Sequence, residues 1–511
     1  MSNVLKFFFR RMVIIPLLIF IQLGIITFGI WKLTEALVYF SALFFLISIF
    51  AVVHIVGTKD NPSYKLAWTI PVLLFPVFGG LFYLIFGLKK TTKKFRTRIL
   101  EIHNETEHLF IQDKNILNEI EKENKEIANQ IKYLKRYASS PIYKNTITKY
   151  LSPGEDFFEK LKEELRKAKK YIFLEYFIIE EGFMWNSILE ILKEKVKEGV
   201  DVRLIYDDMG CLQKLPYKYN EKLNEFGIKC VVFNPFVPFL SVVMNNRDHR
   251  KIAIIDGYTA FTGGINLADE YINRINKFGH WKDSALMIKG DAVWNLTIMF
   301  LQAWKFNCGQ KEDYEKYKPN VNHSKVFESD GYVQPYGDSP LDDETVGENV
   351  YLNIINKAKD YVYITSPYLI VDNELITALK LASKSGVEVI IVTPHIEDKK
   401  YVHMVTRAYY PQLIEAGVKI YEYTPGFIHS KTFVCDDEIG VVGTINMDYR
   451  SLYLHFECGV LLYKTKSLIE MKMDFVKTLK SCKLITIEDC HKVKWFNKFI
   501  TAILRVFAPL M

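Results

Sequence analysis

Apolar and polar positions divide the chain into three regimes. Over the first 90 residues the apolar positions run on almost unbroken. Met12–Trp31 is twenty residues without a charge; Ala36–Gly57 is apolar except for His54; Leu66–Leu88 is apolar but carries Pro71, Pro76, Gly79 and Gly80. Each run is long enough to cross a bilayer, which takes about 20 apolar residues. The alternative for the first run is a cleavable signal peptide. It lacks a small-x-small cleavage site and two more apolar runs follow, so retention in the membrane is the expectation. Lys6, Arg10 and Arg11 precede the first run, and Lys89, Lys90, Lys93, Lys94, Arg96 and Arg98 follow the third. Positive residues at both ends favour a cytoplasmic location for both, which needs an even number of crossings. The reading is therefore two full spans, with the Pro/Gly-rich third run re-entrant or interfacial and the rest of the chain on the cytoplasmic side.

From Phe95 to Ser140 the chain is charged, with Ile, Leu and Glu at helical spacings. No clean heptad persists, so solvated helices are favoured over a coiled coil, and residues 91–140 read as a helical connector. Two similar units follow. In the first, Tyr171–Ile179 reads as a strand, Trp185–Glu198 as a helix and Val202–Tyr206 as a strand. In the second the same order falls on Tyr361–Val371, Glu374–Ser385 and Val387–Thr393. Apolar strands alternating with helices imply α/β layers. The expected division is 1–90 membrane segments, 91–140 connector, 141–320 and 321–490 two α/β domains, and 491–511 a basic, aromatic tail.

Within each unit a longer pattern repeats. His249-Arg250-Lys251, four residues and Asp256 are followed by Gly263-Gly264-Ile265-Asn266; His429-Ser430-Lys431, four residues and Asp436 are followed by Gly443-Thr444-Ile445-Asn446. The spacers Ile252–Ile255 and Thr432–Cys435 are apolar, so each copy reads as strand, turn, strand. Residues two apart on a strand share a face, so His and Lys can point into one pocket. His323-Ser324-Lys325 with Asp330 also fits the short pattern, but lacks the apolar spacer and the later Gly-x-x-Asn. We discard it. Each true copy supplies an imidazole, an ammonium and an amide, the groups needed to hold and attack a phosphodiester. Duplication points to one site built from two halves.

The duplicated His-x-Lys-x4-Asp resembles the signature of the phospholipase D superfamily. Gly263–Tyr271 and Trp281-Lys282-Asp283 are similar to the first half of bacterial cardiolipin synthases. Thr365–Tyr368, Ala416–Tyr421, Asp448-Tyr449-Arg450-Ser451 and Phe456-Glu457 are similar to the second half. His455 departs from the pattern, since the family usually has Asn before Phe-Glu. The resemblance implies two similar phospholipase D-like α/β sandwich domains sharing one active site, preceded by transmembrane helices, in a multi-pass protein of the cell membrane. It implies phosphatidyl transfer from one phosphatidylglycerol to another, giving cardiolipin and glycerol. It also assigns Asp283 and Glu457 to the far nitrogens of the two imidazoles, and to His249 the attack on phosphorus.

The chemistry suits those residue types. A neutral imidazole can form a covalent phosphoryl-enzyme, splitting one hard displacement into two. A second, protonated imidazole can donate to the departing alkoxide, help typically worth about 10²–10⁴-fold. Lys251 and Lys431, with Asn266 and Asn446, can hold the non-bridging oxygens. Asp256 and Asp436 are taken with the catalytic sets, though as braces or turn residues rather than attackers. The four basic groups can do metal-like charge work, so no metal and no cofactor is expected. Lys plus Arg number 66 against 59 Asp plus Glu, a net charge of +7. That mild excess suits an anionic membrane surface or nucleic acid and does not choose between them. The apolar runs choose: the expected partners are phospholipid and bilayer, and no nucleic acid. Seven scattered cysteines without a Cys-x-x-Cys exclude a metal knot or redox dithiol. The alternatives are another phosphatidyltransferase, a membrane phospholipase D, a nuclease, or a membrane scaffold with a relic site. Complete His-Lys-Asn sets in both halves speak against the last.

Four further features invite a role. Glu175 is a carboxylate on an apolar strand and needs a partner. Pro235–Leu240 is an apolar, aromatic stretch, and Phe236 and Phe239 are candidates for a membrane-touching lip. The tail mixes Lys494, Lys498 and Arg505 with Trp495, Phe496, Phe499 and Phe507, as an interfacial helix would. His280, His395 and His403 read as ordinary surface or core histidines.

Overall fold

The computed structural model describes residues 24–25, 35–76, 79–87, 92–235, 246–322, 326–342 and 344–510. Two compact units emerge: Met1–Thr97 with Phe236–Asn246 and Ile503–Met511, and Arg98–Pro235 with Arg247–Ala502. The run Met12–Trp31, apart from Gly24 and Ile25, and the stretch from Phe236 to Leu240 lie outside the described residues, as do His323, Ser324 and Lys325.

In the smaller unit the second apolar run forms helix Glu35–Gly57. The third does not form one helix. It gives Pro62–Leu74 and Gly79–Phe86, with Pro76 in the gap between them. Pro62 opens the first of these, preceded by Asn61, whose side chain caps the Ser63 N–H at 2.9 Å. Ala51, Ile55, Trp68, Val72 and Tyr83 make a small core. Leu43, Phe45, Phe50 and Val53 are exposed on the long helix. Side chains of that helix are described from Ser41 onward, and among the described residues no helix is long and apolar enough to cross a membrane.

The larger unit holds two α/β domains of one design. The first contributes β1 (Thr146–Leu151), β2 (Tyr171–Tyr176), β3 (Asp201–Asp207), β4 (Lys229–Phe233) and β5 (Arg247–Asp248). It continues with β6 (Lys251–Ile255), β7 (Thr259–Gly263), β8 (His280–Lys282) and β9 (Ala285–Gly290). The second contributes β10 (Tyr332–Asp338), β11 (Tyr361–Thr365), β12 (Leu369–Ile370), β13 (Glu388–Pro394), β14 (Lys419–Tyr423) and β15 (Gly426–Ile428). It ends with β16 (Thr432–Cys435), β17 (Ile439–Gly443), β18 (Met447–Asp448), β19 (His455–Tyr463) and β20 (Cys482–Leu484). The first sheet runs β1-β9-β7-β6-β2-β3-β4, and the second runs β10-β19-β17-β16-β11-β13-β14-β20. Strand for strand these are the same mixed sheet, with one added edge strand in the second.

Both motifs occupy corresponding places. β6 lies between β7 and β2, and β16 lies between β17 and β11. These central strands are buried on both faces, which is why Ile252–Ile255 and Thr432–Cys435 read as continuous apolar runs. Helices Phe183–Lys197 and Asn373–Lys384 supply the expected crossovers, starting one or two residues earlier than the periodicity predicts. The expected strand over Tyr361–Val371 is two short strands, β11 and β12, broken at Ser366-Pro367-Tyr368.

The region read as a connector packs on this body from Arg98 onward. Ile127, Ala128, Ile131 and Leu134 of helix Lys125–Tyr137 are fully buried. Gln334 donates to the Ile131 and Ser140 carbonyls at 3.2 and 2.6 Å, and Trp294 donates to the Leu109 carbonyl at 3.0 Å. At the other end, helix Trp495–Val506 buries none of its residues, and Trp495 and Phe499 are 79% and 59% exposed.

Candidate active site

Two short strand pairs between the domains build the site. β5, just before the first motif, pairs in parallel with the start of β19: Arg247 lies opposite His455 and Asp248 opposite Phe456. The His249 N–H continues the ladder to the Phe456 carbonyl at 2.9 Å. Glu457, the next residue, therefore lies beside His249, and its two oxygens are 2.9 and 3.0 Å from Nδ1. The second motif repeats this. β15 pairs in parallel with β8, placing Ile428 opposite Lys282. The His429 N–H donates to the Lys282 carbonyl at 2.7 Å, and Asp283 Oδ2 is 2.7 Å from His429 Nδ1. Each histidine is thus held by a carboxyl group of the other domain. Neither half-site is complete alone.

The lysines follow from strand alternation. Lys251 lies two residues beyond His249 and donates to the His249 carbonyl at 2.6 Å. Lys431 donates likewise to the His429 carbonyl. Both are 1% exposed. Residues of odd register face away: Arg250 pairs with Asp248 at 2.9 Å and with Glu175 at 2.7 Å. Glu175 is therefore the buried partner of Arg250 and stands behind the histidine rather than beside it.

The asparagines hold loops. Asn266 accepts from the Ile178 N–H at 3.0 Å and donates to the Tyr271 hydroxyl at 2.7 Å. Asn446 donates to the Ser451 hydroxyl at 3.0 Å. The Asn266 amide nitrogen keeps one further hydrogen for a substrate oxygen, whereas the Asn446 side chain also bonds the Asp448 carboxyl. The motif aspartates are not brought to the histidines. At about 3.3 Å per strand residue, five residues set Asp256 and Asp436 roughly 16 Å beyond the lysines. Asp256 accepts from the N–H groups of Lys169, Lys170 and Tyr171 at 2.8, 2.7 and 3.0 Å. Asp436 does the same for Lys359, Asp360 and Tyr361 at 2.7, 3.0 and 2.8 Å. With φ of 50° and 53°, each turns the chain and pins the start of the neighbouring strand. Both carboxylates are taken up by backbone N–H groups at the far ends of the motif strands rather than by the histidines.

Burial sets the electrostatics. It drives His249 well below the ordinary imidazole range, helped by Lys251, His455, Lys431 and His429. It lowers His429 to about 4; Lys431 adds to the fall and Asp283 opposes it. It brings Lys251 down to about 8 and Lys431 to about 7. The carboxyls diverge. Burial would raise Asp283, but His429, Lys431 and the Ser284 N–H outweigh it and hold it below the usual range. Burial raises Glu457 well above that range, against the pull of Lys251 and Thr444. Four basic groups gathered in a buried region, with one carboxylate held below its usual range, suit an anion.

Several contributors carry no motif. Thr444 stands at the position of Gly264 in the repeat, and its hydroxyl donates to Glu457. A side chain at Gly264 would meet Asp283 Oδ1 at 2.1 Å. Phe177 packs edge-on to His249 at 5.0 Å, and Trp281, Tyr271 and Phe427 surround His429 at 5.3, 5.6 and 5.9 Å. Comparison of the two repeat copies flags Thr444; the aromatic wall leaves no spacing signal. His455 lies 5.5 Å from His249, ring to ring. Among the described residues His249, His455 and Glu457 form the one group of donors close enough to share a metal ion.

Known proteins resemble the chain over most of its length. Residues 161–290 and 351–479 match the family model described as cardiolipin synthase, PLD-like domain, and residues 46–87 match phospholipase D-nuclease N-terminal. An uncharacterised protein of Streptococcus mutans is 45% identical over 461 residues, 90% of this chain and 99% of its own length. A cardiolipin synthase of Halalkalibacterium halodurans is 36% identical over 477 residues, 92% of this chain and 94% of that protein. The phosphatidylserine synthase structure from Haemophilus influenzae superposes with a TM-score of 0.54 at 14% identity, covering 74% of this chain and 97% of that one, a likeness of fold.

Proposed function

The chain belongs to the phospholipase D-like cardiolipin synthase family, and from that premise we propose that it transfers a phosphatidyl group between two phosphatidylglycerol molecules. The observation that carries the reading is the crossed pair His249–Glu457 and His429–Asp283, one composite site for a phosphodiester. The Nδ1 hydrogen of His249, donated to the Glu457 carboxyl, leaves Nε2 with its lone pair. Nε2 attacks phosphorus; the bond from phosphorus to the headgroup glycerol oxygen breaks, and His429 gives that oxygen a proton. The headgroup hydroxyl of a second phosphatidylglycerol then loses its proton to His429 and displaces His249. The products are cardiolipin and one glycerol. Lys251, Lys431 and the second amide hydrogen of Asn266 hold the non-bridging oxygens, where charge concentrates in the transition state.

The same reading places the protein in the cell membrane. Its support is the uncharged run Met12–Trp31, the apolar surface of helix Glu35–Gly57, and the break at Pro76 that suits a re-entrant third segment. Two spans with a cytoplasmic catalytic body satisfy the basic residues at both ends. The exposed aromatic face of helix Trp495–Val506, with Lys494, Lys498 and Arg505, suits the headgroup layer.

The test is turnover by the purified full-length protein on phosphatidylglycerol alone, with EDTA and no nucleotide. One cardiolipin and one glycerol should form for every two lipids consumed. Phosphatidic acid in place of cardiolipin would make the enzyme a phospholipase D. Dependence on a cytidine-activated lipid would move it to another reaction class.

A further inference from the structure

His455 stands where the resembling family usually has Asn, and it is more than nine-tenths buried. Neither of its ring nitrogens has a hydrogen-bond partner. A buried imidazole without partners loses its solvation unless something else binds it. His455 Nδ1 is 3.8 Å from Glu457 Oε1, which is itself 2.9 Å from His249 Nδ1. The three donors lie within 4.8 Å of one another.

We propose that His455, His249 and Glu457 form an inhibitory site for a divalent transition metal of the zinc class. The inference rests on the assignment of His249 as nucleophile. Zinc takes nitrogen at about 2.0–2.1 Å and carboxylate oxygen at about 2.0–2.2 Å, so tetrahedral ligands sit roughly 3.3–3.5 Å apart. Glu457 Oε1 lies 2.9 and 3.8 Å from the two imidazole nitrogens, on either side of that value, and all three donors lie within 4.8 Å. Two imidazoles and a carboxylate leave a fourth position open to water or a phosphodiester oxygen. Mixed imidazole and carboxylate donors suit zinc, copper and nickel rather than magnesium or calcium.

Inhibition follows from proton bookkeeping on one ring. Neutral imidazole carries a single N–H. In the working site that hydrogen sits on Nδ1 and points at Glu457. A metal on Nδ1 displaces it to Nε2, where the attacking lone pair was. The metal also takes up Glu457, which releases its carboxyl proton to solvent and no longer fixes the tautomer. No bond to substrate forms or breaks; the nucleophile is held in its unreactive form. Lys251, Lys431 and Arg247 oppose a cation, so the metal and the phosphodiester compete for one cleft.

The experiment uses full-length protein in mixed micelles. Cardiolipin formation is titrated with Zn²⁺, and Co²⁺ binding is followed by its visible absorption without lipid. Wild type should take up one equivalent of Co²⁺ with a tetrahedral spectrum, and lose turnover to Zn²⁺ in a way that EDTA reverses. His455→Asn should lose the spectrum and raise the half-inhibitory Zn²⁺ concentration by roughly tenfold or more, equivalent to about 1.4 kcal/mol of binding. His395→Asn, at an exposed histidine, should change neither. An unaltered Co²⁺ spectrum in His455→Asn, or a wild type that binds no Co²⁺, overturns the proposal. Should His455→Asn fail to fold, His455→Gln serves the same comparison. The binding arm needs no turnover, so a protein that makes no cardiolipin in EDTA would defeat the functional reading while leaving the metal site to be decided by its spectrum.

Discussion

The two half-sites are built alike and charged differently. Each presents an imidazole, a lysine on the imidazole's own carbonyl, and a carboxyl group from the opposite domain. Around His429 the carboxyl is the short Asp283, fitted against Gly264 and ionised by its surroundings. Around His249 it is the longer Glu457, bonded to Thr444 and pushed by burial toward its neutral form. A firmly ionised partner stabilises an imidazolium, whereas a neutral one orients the ring and leaves it uncharged. On the proposed reading this difference favours His249 as the nucleophile and His429 as the group that carries the proton. In the empty site burial and Lys431 keep His429 at about 4, so at neutral pH it gains its proton only when the phosphodiester anion arrives. The pseudo-symmetry supplies two similar seats, and on that reading the carboxyl at each seat distinguishes the roles.

The hardest test of that division removes one imidazole at a time. His249→Asn and His429→Asn should each lower turnover of phosphatidylglycerol by at least about 10³-fold, since each role is filled once and general-acid help alone reaches about 10²–10⁴-fold. They should differ in labelling. With a radiolabelled phosphatidyl donor whose leaving group needs no proton, His429→Asn should trap label as an acid-labile phosphoramidate at His249. His249→Asn should stay unlabelled. The reverse pattern would exchange the two roles, and a fully active single variant would end the idea of a composite site.

Carboxyl exchange sharpens the comparison at smaller cost. Asp283→Asn removes a formal charge from the imidazolium, and a charge-assisted hydrogen bond is worth about 1.5–3 kcal/mol, or roughly 10–100-fold in rate. Glu457→Gln replaces a carboxyl that burial pushes toward its neutral form with an amide, and roughly tenfold or less should be lost. Steady-state kcat on phosphatidylglycerol measures both. Equal losses would mean that Glu457 is ionised when the enzyme works.

How the sequence carries this site differs from residue to residue. His249, Lys251, His429 and Lys431 are legible because local strand alternation sets a shared face, and both motif strands form where the apolar spacers put them. The crossing of the carboxyls is not legible. It depends on β5 meeting β19 and β8 meeting β15, pairs of two and three residues joined across distant parts of the chain. Strands that short leave no periodicity. Asp256 and Asp436 share the motif with the histidines, and the sequence alone could not separate their bracing from chemistry, because in sequence a turn and a site look equally polar. Ile127, Ile131 and Leu134 form a buried stripe, yet the surrounding charge made that helix look like a solvated connector. Gly264 and Thr444 became informative only once each was seen against its own carboxyl.

The lysines separate the half-sites by pH. A lysine with a lowered pKa is charged below that value and loses its charge as pH rises through it. Lys431 should discharge near 7 and Lys251 near 8. Both must be charged to draw a phosphodiester into the free enzyme, so the decline in kcat/KM that proton uptake at His429 already sets should steepen above about pH 7 and again beyond 8. The kcat limb should lie higher, because bound substrate anion holds the protons on. A kcat/KM profile whose slope stays the same from pH 6 to 9 would show that both ammonium groups keep their charge without substrate.

The smallest effects are expected at the aspartates that end the motif strands, and there the half-sites differ in burial. Each carboxylate accepts three backbone N–H groups, two at Oδ1 and one at Oδ2. Asparagine tolerates the same left-handed turn, so Asp→Asn leaves the backbone in place and replaces one acceptor oxygen with a donor. The Lys169 or Lys359 N–H then faces an N–H. At buried Asp256 that unsatisfied pair should cost about 1–3 kcal/mol, since water cannot reach it. At half-buried Asp436 solvent can take up the orphaned group, and the cost should be roughly 1 kcal/mol or less. Thermal melts of the two variants in detergent should therefore rank Asp256→Asn below Asp436→Asn, while both retain turnover within about tenfold, as expected of residues that brace strands without touching the reacting atoms. A loss of turnover at either position as deep as that of the histidine variants, with the melting temperature unchanged, would return that aspartate to the chemistry.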